Sequence, residues 1–353
     1  MKYLFFILIL IFSYSCQEKK IENPLNHEEF SEPILSEGHI IDLKDGKLNE
    51  PGGMIMTDSF LIIDDEEENY LAKVVDIKKN KVVKRFLRKG KGPEEAVVID
   101  IYADNDEYFY CFGKSLKRLF RFNLDSLITY ENYKPKTINL DKKTIINALV
   151  CINDSLFFGP VERKEKKYVL MDLNGIKKTM CMYPDDGMDY PYEMKSAAYQ
   201  TKIAISPDRN NIVTTINVGC ILEIFSVDDE NHIDKLKDLH YFYPEYKVID
   251  AGEGLGRAAQ FYQGKNKAGF TDIYATNHSV FAKYSGKTLE IQPNFYELST
   301  GKNILVYNWK GEPKYRYKLN YDIEFICLDN KGKTLFGITY TPEPKIVKFN
   351  LKR

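Results

Sequence analysis

The feature that most constrains this chain is a short strand–turn–strand unit that occurs six times. In residues 98–112, an alternating apolar run reaches a polar turn at Asp104-Asn105-Asp106, and an aromatic-rich run follows it. β-Branched and aromatic residues in period two favour strands, and Asp or Asn between two such runs favours a hairpin turn. The same unit recurs with turns at Thr57-Asp58, Asn153-Asp154, Asp208, Thr276-Asn277 and Asp329-Asn330.

The spacing of these turns indicates a repeat architecture. Successive turns lie about 48 to 68 residues apart, which is close to the length of a propeller blade plus its loops. Two further strand-like runs follow each of the first five hairpins; after the first hairpin they are residues 71–77 and 82–87. Four antiparallel strands per repeat, with the innermost strand the most apolar, are typical of a propeller blade.

The ends of the chain predict how the repeats are arranged. The sixth unit has only three strand-like runs, while residues 38–44 form one unassigned strand upstream of the first unit. A ring closes when such an N-terminal strand completes the last blade. We therefore predict an all-β fold, a six-bladed β-propeller of four-stranded antiparallel blades. A β-sandwich or two separate β-domains would explain neither the spacing nor the spare strand.

The N-terminus has the anatomy of an export signal. Lys2 precedes an apolar run at 3–12, which is too short to span a membrane, and Ser15 leads into Cys16. Small residues before a Cys are typical of bacterial lipoprotein signals, in which the Cys is lipidated. We expect a signal peptide at 1–15, a flexible tether at 16–33 and one domain at 34–353. The alternative is an ordinary secretory signal with an incidental Cys.

Composition limits the partners and cofactors. The formal net charge of −1 gives no support for a nucleic-acid partner, and we expect none. The five histidines show no metal-ligand spacing, and the sequence indicates neither a metal nor a cofactor. The remaining cysteines are odd in number and include no C-x-x-C pair, so we expect them to be unpaired apolar residues. They are Cys111, Cys151, Cys181, Cys220 and Cys327.

Several short motifs carry a family resemblance. They are Cys16, the R-K-G-K-G-P-E-E stretch at 88–95, I-S-P-D-R-N at 205–210, and D-I-Y-A-T-N with Y-S-G at 272–286. With these motifs the chain resembles the Bacteroidota lipoproteins built as TolB-like six-bladed propellers. Glu94 stands where that family usually has a glycine. The resemblance covers residues 35–353 and implies a binding or accessory role, but no catalytic residues.

The first candidate ligand site is the glycine-rich stretch at 88–95. The stretch carries three cations, Arg88, Lys89 and Lys91, with Glu94 beside them, and its two glycines allow backbone amides to point towards a ligand. Cations and free amides together suit an anionic group. No helix follows the glycines, so the stretch is not a dinucleotide fingerprint. A tight crossover between two blades explains the same glycines and proline.

The second candidate is the longer of two insertions. Residues 243–270 link the fourth and fifth units, and residues 285–302 interrupt the fifth. Long segments of this kind are often functional loops. Aromatic and hydrogen-bonding residues in the first insertion suit a sugar or a peptide, although the loop could equally cover a blade. These residues are Glu253, Arg257, Gln260, Phe261 and Tyr262.

Two acidic stretches resemble calcium-binding loops only weakly. Residues 64–68 are a charge run of the kind usually found on a solvated loop, and residues 185–189 lack the following Glu of a calcium loop. No catalytic motif occurs, and no catalytic residue is singled out.

We therefore expect a lipid-anchored protein of the cell envelope, at the outer membrane, that binds a glycan, a peptide or a protein. The alternatives are a propeller lyase or hydrolase with its site at the channel mouth, and a scaffold that binds only proteins.

Overall fold

The computed structural model describes residues 23–28, 30–105, 107–250, 257–290, 295–340 and 342–352. The chain forms six four-stranded antiparallel sheets in sequence order, with one additional strand on each of two sheets. The predicted six-bladed β-propeller is confirmed. Each predicted hairpin provides the first two strands of one blade.

Two short strands precede the blades, and the first three blades follow directly. The leading strands are β1 (Ile34–Ser36) and β2 (Gly38–Ile41). Blade 1 contains β3 (Pro51–Thr57), β4 (Phe60–Asp65), β5 (Tyr70–Asp76), β6 (Lys81–Lys89) and the short β7 (Glu95–Ala96). Blade 2 contains β8 (Ile99–Ala103), β9 (Tyr108–Gly113), β10 (Arg118–Asn123) and β11 (Lys136–Asn139). Blade 3 contains β12 (Val150–Cys151), β13 (Leu156–Pro160), β14 (Lys166–Asp172) and β15 (Gly175–Met182).

The second half of the ring repeats this order around one inserted hairpin. Blade 4 contains β16 (Thr201–Ile205), β17 (Asn211–Ile216), β18 (Cys220–Val227) and β19 (Ile233–Phe242). The hairpin of β20 (Tyr246–Asp250) and β21 (Arg257–Phe261) lies within the predicted first insertion. Blade 5 contains β22 (Phe270–Ala275), β23 (Val280–Tyr284), β24 (Gly301–Tyr307) and β25 (Pro313–Ile323). Blade 6 contains β26 (Ile326–Leu328), β27 (Thr334–Tyr340) and β28 (Pro344–Asn350).

The predicted closing strand completes blade 6. β2 pairs antiparallel with β28, with Gly38 opposite Phe349 and Ile41 opposite Ile346. A Cβ atom at Gly38 would lie 2.4 Å from the Phe349 ring, so this close approach requires glycine. The strand ends at residue 41 rather than 44, because the chain then turns towards blade 1, where the Lys44 amide donates to the Asn80 carbonyl at 2.8 Å.

Asx chemistry shapes the turns, as the sequence predicted. The Asn105 carboxamide oxygen accepts from the Glu107 amide at 2.9 Å, and that of Asn153 accepts from the Ser155 amide at 3.0 Å. The Asp329 carboxylate accepts from the Lys333 amide at 2.8 Å. These bonds satisfy backbone amides that the hairpin leaves unpaired.

In the described part of the chain, three α-helices lie in the connections, and none was predicted from the sequence. They are α1 (Leu124–Thr129) in blade 2, α2 (Tyr192–Ala198) between blades 3 and 4, and α3 (Phe295–Ser299) in the insertion of blade 5. Over the described residues, every helix is too short or too polar to cross a membrane. The five described cysteines are unpaired, and four of them are buried, as expected for small apolar core residues.

Part of the predicted tether packs on the propeller. The 3-10 helix Pro24–Asn26 and Phe30 precede β1, and the Phe30 ring meets the Tyr307 ring edge-on at 5.4 Å. Phe30 is buried, and removing its ring from water favours this contact. β1 then pairs in parallel with β25, as a fifth strand on blade 5. Cys16 and the signal peptide lie outside the described residues.

Candidate functional site

Strand order assigns the loops to two faces of the ring. In an antiparallel meander, the turns between the first and second strands and between the third and fourth lie at one end of each blade. We call this end the turn face. Loops between the second and third strands, and crossovers to the next blade, lie at the opposite end, the loop face. The insertions at 243–270 and 285–302 therefore both belong to the loop face.

A central channel of about 530 Å³ runs between the two faces. The first strands of all six blades line it, with stretches at 52–56, 100–105, 147–151, 200–207, 272–275 and 325–326. Its volume lies within the roughly 300–1,000 Å³ typical of small-molecule sites. We call its loop-face end the channel mouth.

One wall of the channel mouth is bare backbone. Gly52 and Gly53 line it at the start of β3. A Cβ atom at Gly53 would meet no heavy atom within 4 Å, so the space beside this residue is open. Glycines at such positions allow a ligand to approach the backbone closely.

Paired charges stand on two sides of the channel mouth. On one side, Lys114 Nζ lies 2.8 Å from Asp100 Oδ1, and the Tyr102 hydroxyl donates to Asp100 Oδ2 at 3.1 Å. On the other, Lys202 Nζ lies 3.2 Å from Asp272 Oδ1, and the Ile326 amide donates to Asp272 Oδ2 at 2.8 Å. Lys202 also lies over the Phe325 ring, 5.1 Å from its centre.

A carboxyl group with a raised pKa lies behind the glycine wall. A Cβ atom at Gly52 would be 2.5 Å from Asp64 Oδ2, which places Asp64 directly against this backbone. Burial raises the pKa of Asp64 well above its ordinary range, and the negative charge of Asp100 raises it further. Two neighbouring carboxyl groups with unlike environments are a recurrent feature of acid–base sites.

Aromatic and amide groups form the wall between blades 3 and 4. Tyr183, Ser196, Tyr199 and Gln200 line the channel here, and the two tyrosine rings meet edge-on at 6.0 Å. The Tyr199 hydroxyl donates to Asp186 at 2.8 Å, which fixes the ring. α2 supplies this wall, so the channel mouth depends on an element that the strand pattern did not reveal.

Asp186 explains the second acidic stretch. Its carboxylate binds Lys195 Nζ at 2.9 Å and accepts hydrogen bonds from Tyr199 and, at 3.3 Å, from Tyr246. Burial acts to raise the pKa of Asp186, but Lys195 and Tyr199 outweigh it and lower that pKa. The carboxylate stabilises the crossover and is not free to bind calcium.

The first acidic stretch is likewise internal. The buried Lys73 ammonium binds Asp65 at 2.6 Å and Glu67 at 2.7 Å, and donates to the Lys47 carbonyl at 2.9 Å. Burial raises the pKa of Asp65. Among the described residues, no group of three His, Cys, Asp or Glu side chains is arranged to hold a metal ion.

The glycine-rich candidate site is a blade-to-blade crossover whose anion-binding position is internally occupied. The Gly92 amide donates to the Glu95 carboxylate at 2.7 Å, and a Cβ atom at Gly90 would collide with the same carboxylate. Lys89 forms an ion pair with Glu66, and Glu94 binds Lys134 at 2.8 Å. Arg88 and Lys91 are exposed. None of the four predicted residues lines the central channel.

The second candidate group lies on the inserted hairpin, away from the channel. Phe261 packs in a cluster with Tyr246 and α2, its ring 6.5 Å from that of Tyr246. Gln260 is exposed, and Tyr262 lies beside Lys265, whose ammonium is 5.5 Å from the ring centre. The backbone of Arg257 pairs with Asp250, whereas Glu253 lies outside the described residues. The two predicted groups sit at different blades rather than in one site.

A signal for the channel mouth was present in the sequence. D-I-Y occurs at 100–102 and again at 272–274, so an acidic residue opens two of the six innermost, otherwise apolar strands. A charged residue in such a strand must face either a partner or the channel. Asp64, on a second strand, carries no comparable signal.

A buried lysine lies next to Asp272. Lys283 pairs with it across β22 and β23, and its ammonium donates to the Thr271 hydroxyl and the Ser299 carbonyl. It is fully buried, and burial lowers the pKa of Lys283 to about 7. The lysine thereby joins α3 to blade 5 beside the channel mouth.

This pKa makes a prediction about stability. Lysine in the unfolded chain stays charged up to about pH 10.4. Between pH 7 and 9 the unfolded state therefore binds more protons than the folded state, and the free energy of unfolding rises with pH. We expect the free energy of unfolding of the natural protein to gain about 2 kcal/mol over this range relative to Lys283→Met. Urea unfolding at pH 7, 8 and 9 measures the difference. Lys287→Met, a change of a half-exposed lysine nearby, is the control. Parallel pH profiles for the natural protein and Lys283→Met would contradict the assignment.

The comparisons with known proteins agree with the fold. Residues 29–331 match the family model described as "TolB-like 6-blade propeller-like". No match is found among curated proteins.

Similar solved structures share the architecture at low identity. A member of the DUF4221 family from Bacteroides vulgatus has a TM-score of 0.55 at 14% identity, covering 91% of this chain and 97% of that one. A Bacteroides fragilis protein described as exported has a TM-score of 0.53 at 12% identity, covering 90% and 96%. U3-55K has a TM-score of 0.52 at 10% identity, covering 89% and 98%. The likeness to these structures shows the propeller fold, and the match of the family model over most of the chain shows that this protein belongs to the TolB-like six-bladed propeller family.

Proposed function

We propose that this protein is an exported, lipid-anchored binding protein that takes an oligosaccharide in the channel mouth. The observation that carries the proposal is the open space beside Gly53, in a channel lined by polar and aromatic side chains. Such a site combines room for a ligand with groups that orient it.

The pairing of charges favours a neutral, hydroxyl-rich ligand. Lys114 and Lys202 are each bound to a carboxylate, so their charges are balanced within the channel mouth. Hydroxyl groups can both donate to and accept from such paired groups, and aromatic side chains such as the half-buried Tyr183 suit the apolar side of a sugar ring. A charged peptide end would have to displace one of these ion pairs.

The large exposed apolar side chains, such as Leu35, Tyr130 and Met182, are dispersed over blades 5, 2 and 3, which disfavours a purely protein-binding scaffold.

The N-terminal sequence supports the location. The signal-like run at 3–12 ends at Ser15-Cys16, the arrangement of a lipoprotein, and lipid on Cys16 would hold the protein at the outer membrane. The similar Bacteroides fragilis protein is described as exported.

The proposed site predicts how one substitution acts on binding. Gly53→Trp places an indole in the open space beside β3, and we expect at least a tenfold loss of affinity because the ring occupies the ligand's position. A glycan array followed by calorimetry, using protein that begins at Gln17, measures this. Phe261→Ala and Gln260→Ala are the controls, since both alter the inserted hairpin outside the channel. Unchanged binding in a folded Gly53→Trp protein would disprove the site, and loss of binding in Gln260→Ala would move it to the hairpin.

Asp64 behind the glycine wall and Asp100 at the channel mouth favour a second candidate function, hydrolysis of the bound sugar. Burial and the charge of Asp100 raise the pKa of Asp64, so the two residues provide a candidate proton donor and a carboxylate, the groups that glycoside hydrolysis requires. We expect Asp64→Asn to abolish any turnover while leaving sugar binding within about threefold, because the amide keeps the shape but cannot donate a proton. Chromatography of the bound oligosaccharide after long incubation detects cleavage. An intact sugar with the natural protein would rule this function out.

A further inference from the structure

The packed N-terminal segment determines where a lipid anchor would leave the propeller. The Leu25 carbonyl accepts from Arg316 Nη1 at 2.6 Å, and Leu25 and Trp309 both pack against the apolar cluster of blades 4 and 5. The Trp309 indole donates to the Thr276 carbonyl at 3.1 Å. Phe30 adds its contact with Tyr307. Trp309 and Thr276 belong to the two turns of blade 5, so the segment is docked near the turn face.

The direction of β1 agrees with this placement. β25 begins at the turn face with Pro313 and ends at the loop face with Ile323. Ile34 pairs with Tyr317 and Ser36 with Leu319, in parallel, so the chain enters β1 from the turn-face side. Residues before Ile34 therefore approach from the face opposite the channel mouth.

The chain between lipid and propeller is short. Eight peptide units separate Cys16 from Pro24, and a chain of that length spans at most about 29 Å when fully extended. The path from Arg316 to Ile323 along β25 is roughly 23 Å at about 3.3 Å per residue. The anchor thus reaches the turn face beside Arg316 readily, and the loop face of blade 5 only with a nearly fully extended chain.

We propose that the lipid anchor holds the turn face of blade 5 against the membrane and presents the channel mouth away from it. The inference rests on lipidation of Cys16, part of the function proposed above, but not on the identity of the ligand. The turns of blades 5 and 6 carry exposed Lys310, Lys331 and Lys333 on the same face. These cations suit an anionic lipid surface.

The orientation can be measured on the lipidated full-length protein in vesicles that contain headgroup spin-labelled lipid. Single cysteines for a fluorophore are introduced as His278→Cys, in a turn of blade 5, and Gln260→Cys, on the loop face of the same side. Both changes are made in a Cys181→Ser background, because Cys181 is the described native thiol that is not fully buried. We expect at least twofold stronger quenching at position 278 than at position 260.

Two further measurements separate the possible results. Phe30→Ala with Arg316→Ala releases the docked segment, and we expect the difference between the two positions to shrink while the lipid remains. Equal or reversed quenching in the docked, lipidated protein would overturn the orientation alone. Absence of lipid on Cys16 by mass spectrometry would overturn the anchor and the orientation together, yet leave sugar binding by the channel mouth intact.

Discussion

The pairing of β2 with β28 is the contact on which the rest of the structure depends. It joins a strand near the start of the propeller to the last strand of the chain, and it supplies the fourth strand that blade 6 otherwise lacks. A propeller with an open blade would expose a sheet edge and let blades 1 and 6 separate. Because the channel is lined by the first strands of all six blades, its shape exists only in the closed ring.

Buried ion pairs help to fix the spacing of neighbouring blades. Lys167 of blade 3 lies 2.5 Å from Glu223 of blade 4, and Lys235 lies 2.9 Å from the same carboxyl group. Burial alone would raise the pKa of Glu223, but the two lysines lower it to about 2. Such buried ion pairs add little to net stability. Their main effect is to select one relative position of the two blades, because a misaligned blade would leave a buried charge unpaired. Lys167 also lines the channel, so the ion pair that fixes blades 3 and 4 also fixes part of the site.

The fold was largely predictable from sequence, because strand periodicity and Asx turns are local signals that repeat six times. Ring closure was predictable from a missing strand and a spare one. The channel mouth was not, because it combines residues distant in sequence, such as Gly53, Asp100 and Lys202, whose neighbours are set only by the ring. The predicted residues from Arg88 to Glu94 follow a real glycine motif, but the Glu95 carboxylate already accepts from the Gly92 amide. Phe261 has the pattern of an aromatic residue on a binding loop, but its ring packs against Tyr246.

The most direct test of this account is the stability of proteins changed in the closing strand. Ile41 is buried opposite Ile346, whereas His39, two residues earlier, is exposed opposite Lys348. We expect Ile41→Asp to lower the free energy of unfolding in urea by about 3 kcal/mol or more, since it buries a carboxylate in the core. His39→Asp should change it by less than about 0.5 kcal/mol. Equal effects of the two substitutions would contradict closure of the ring by this strand.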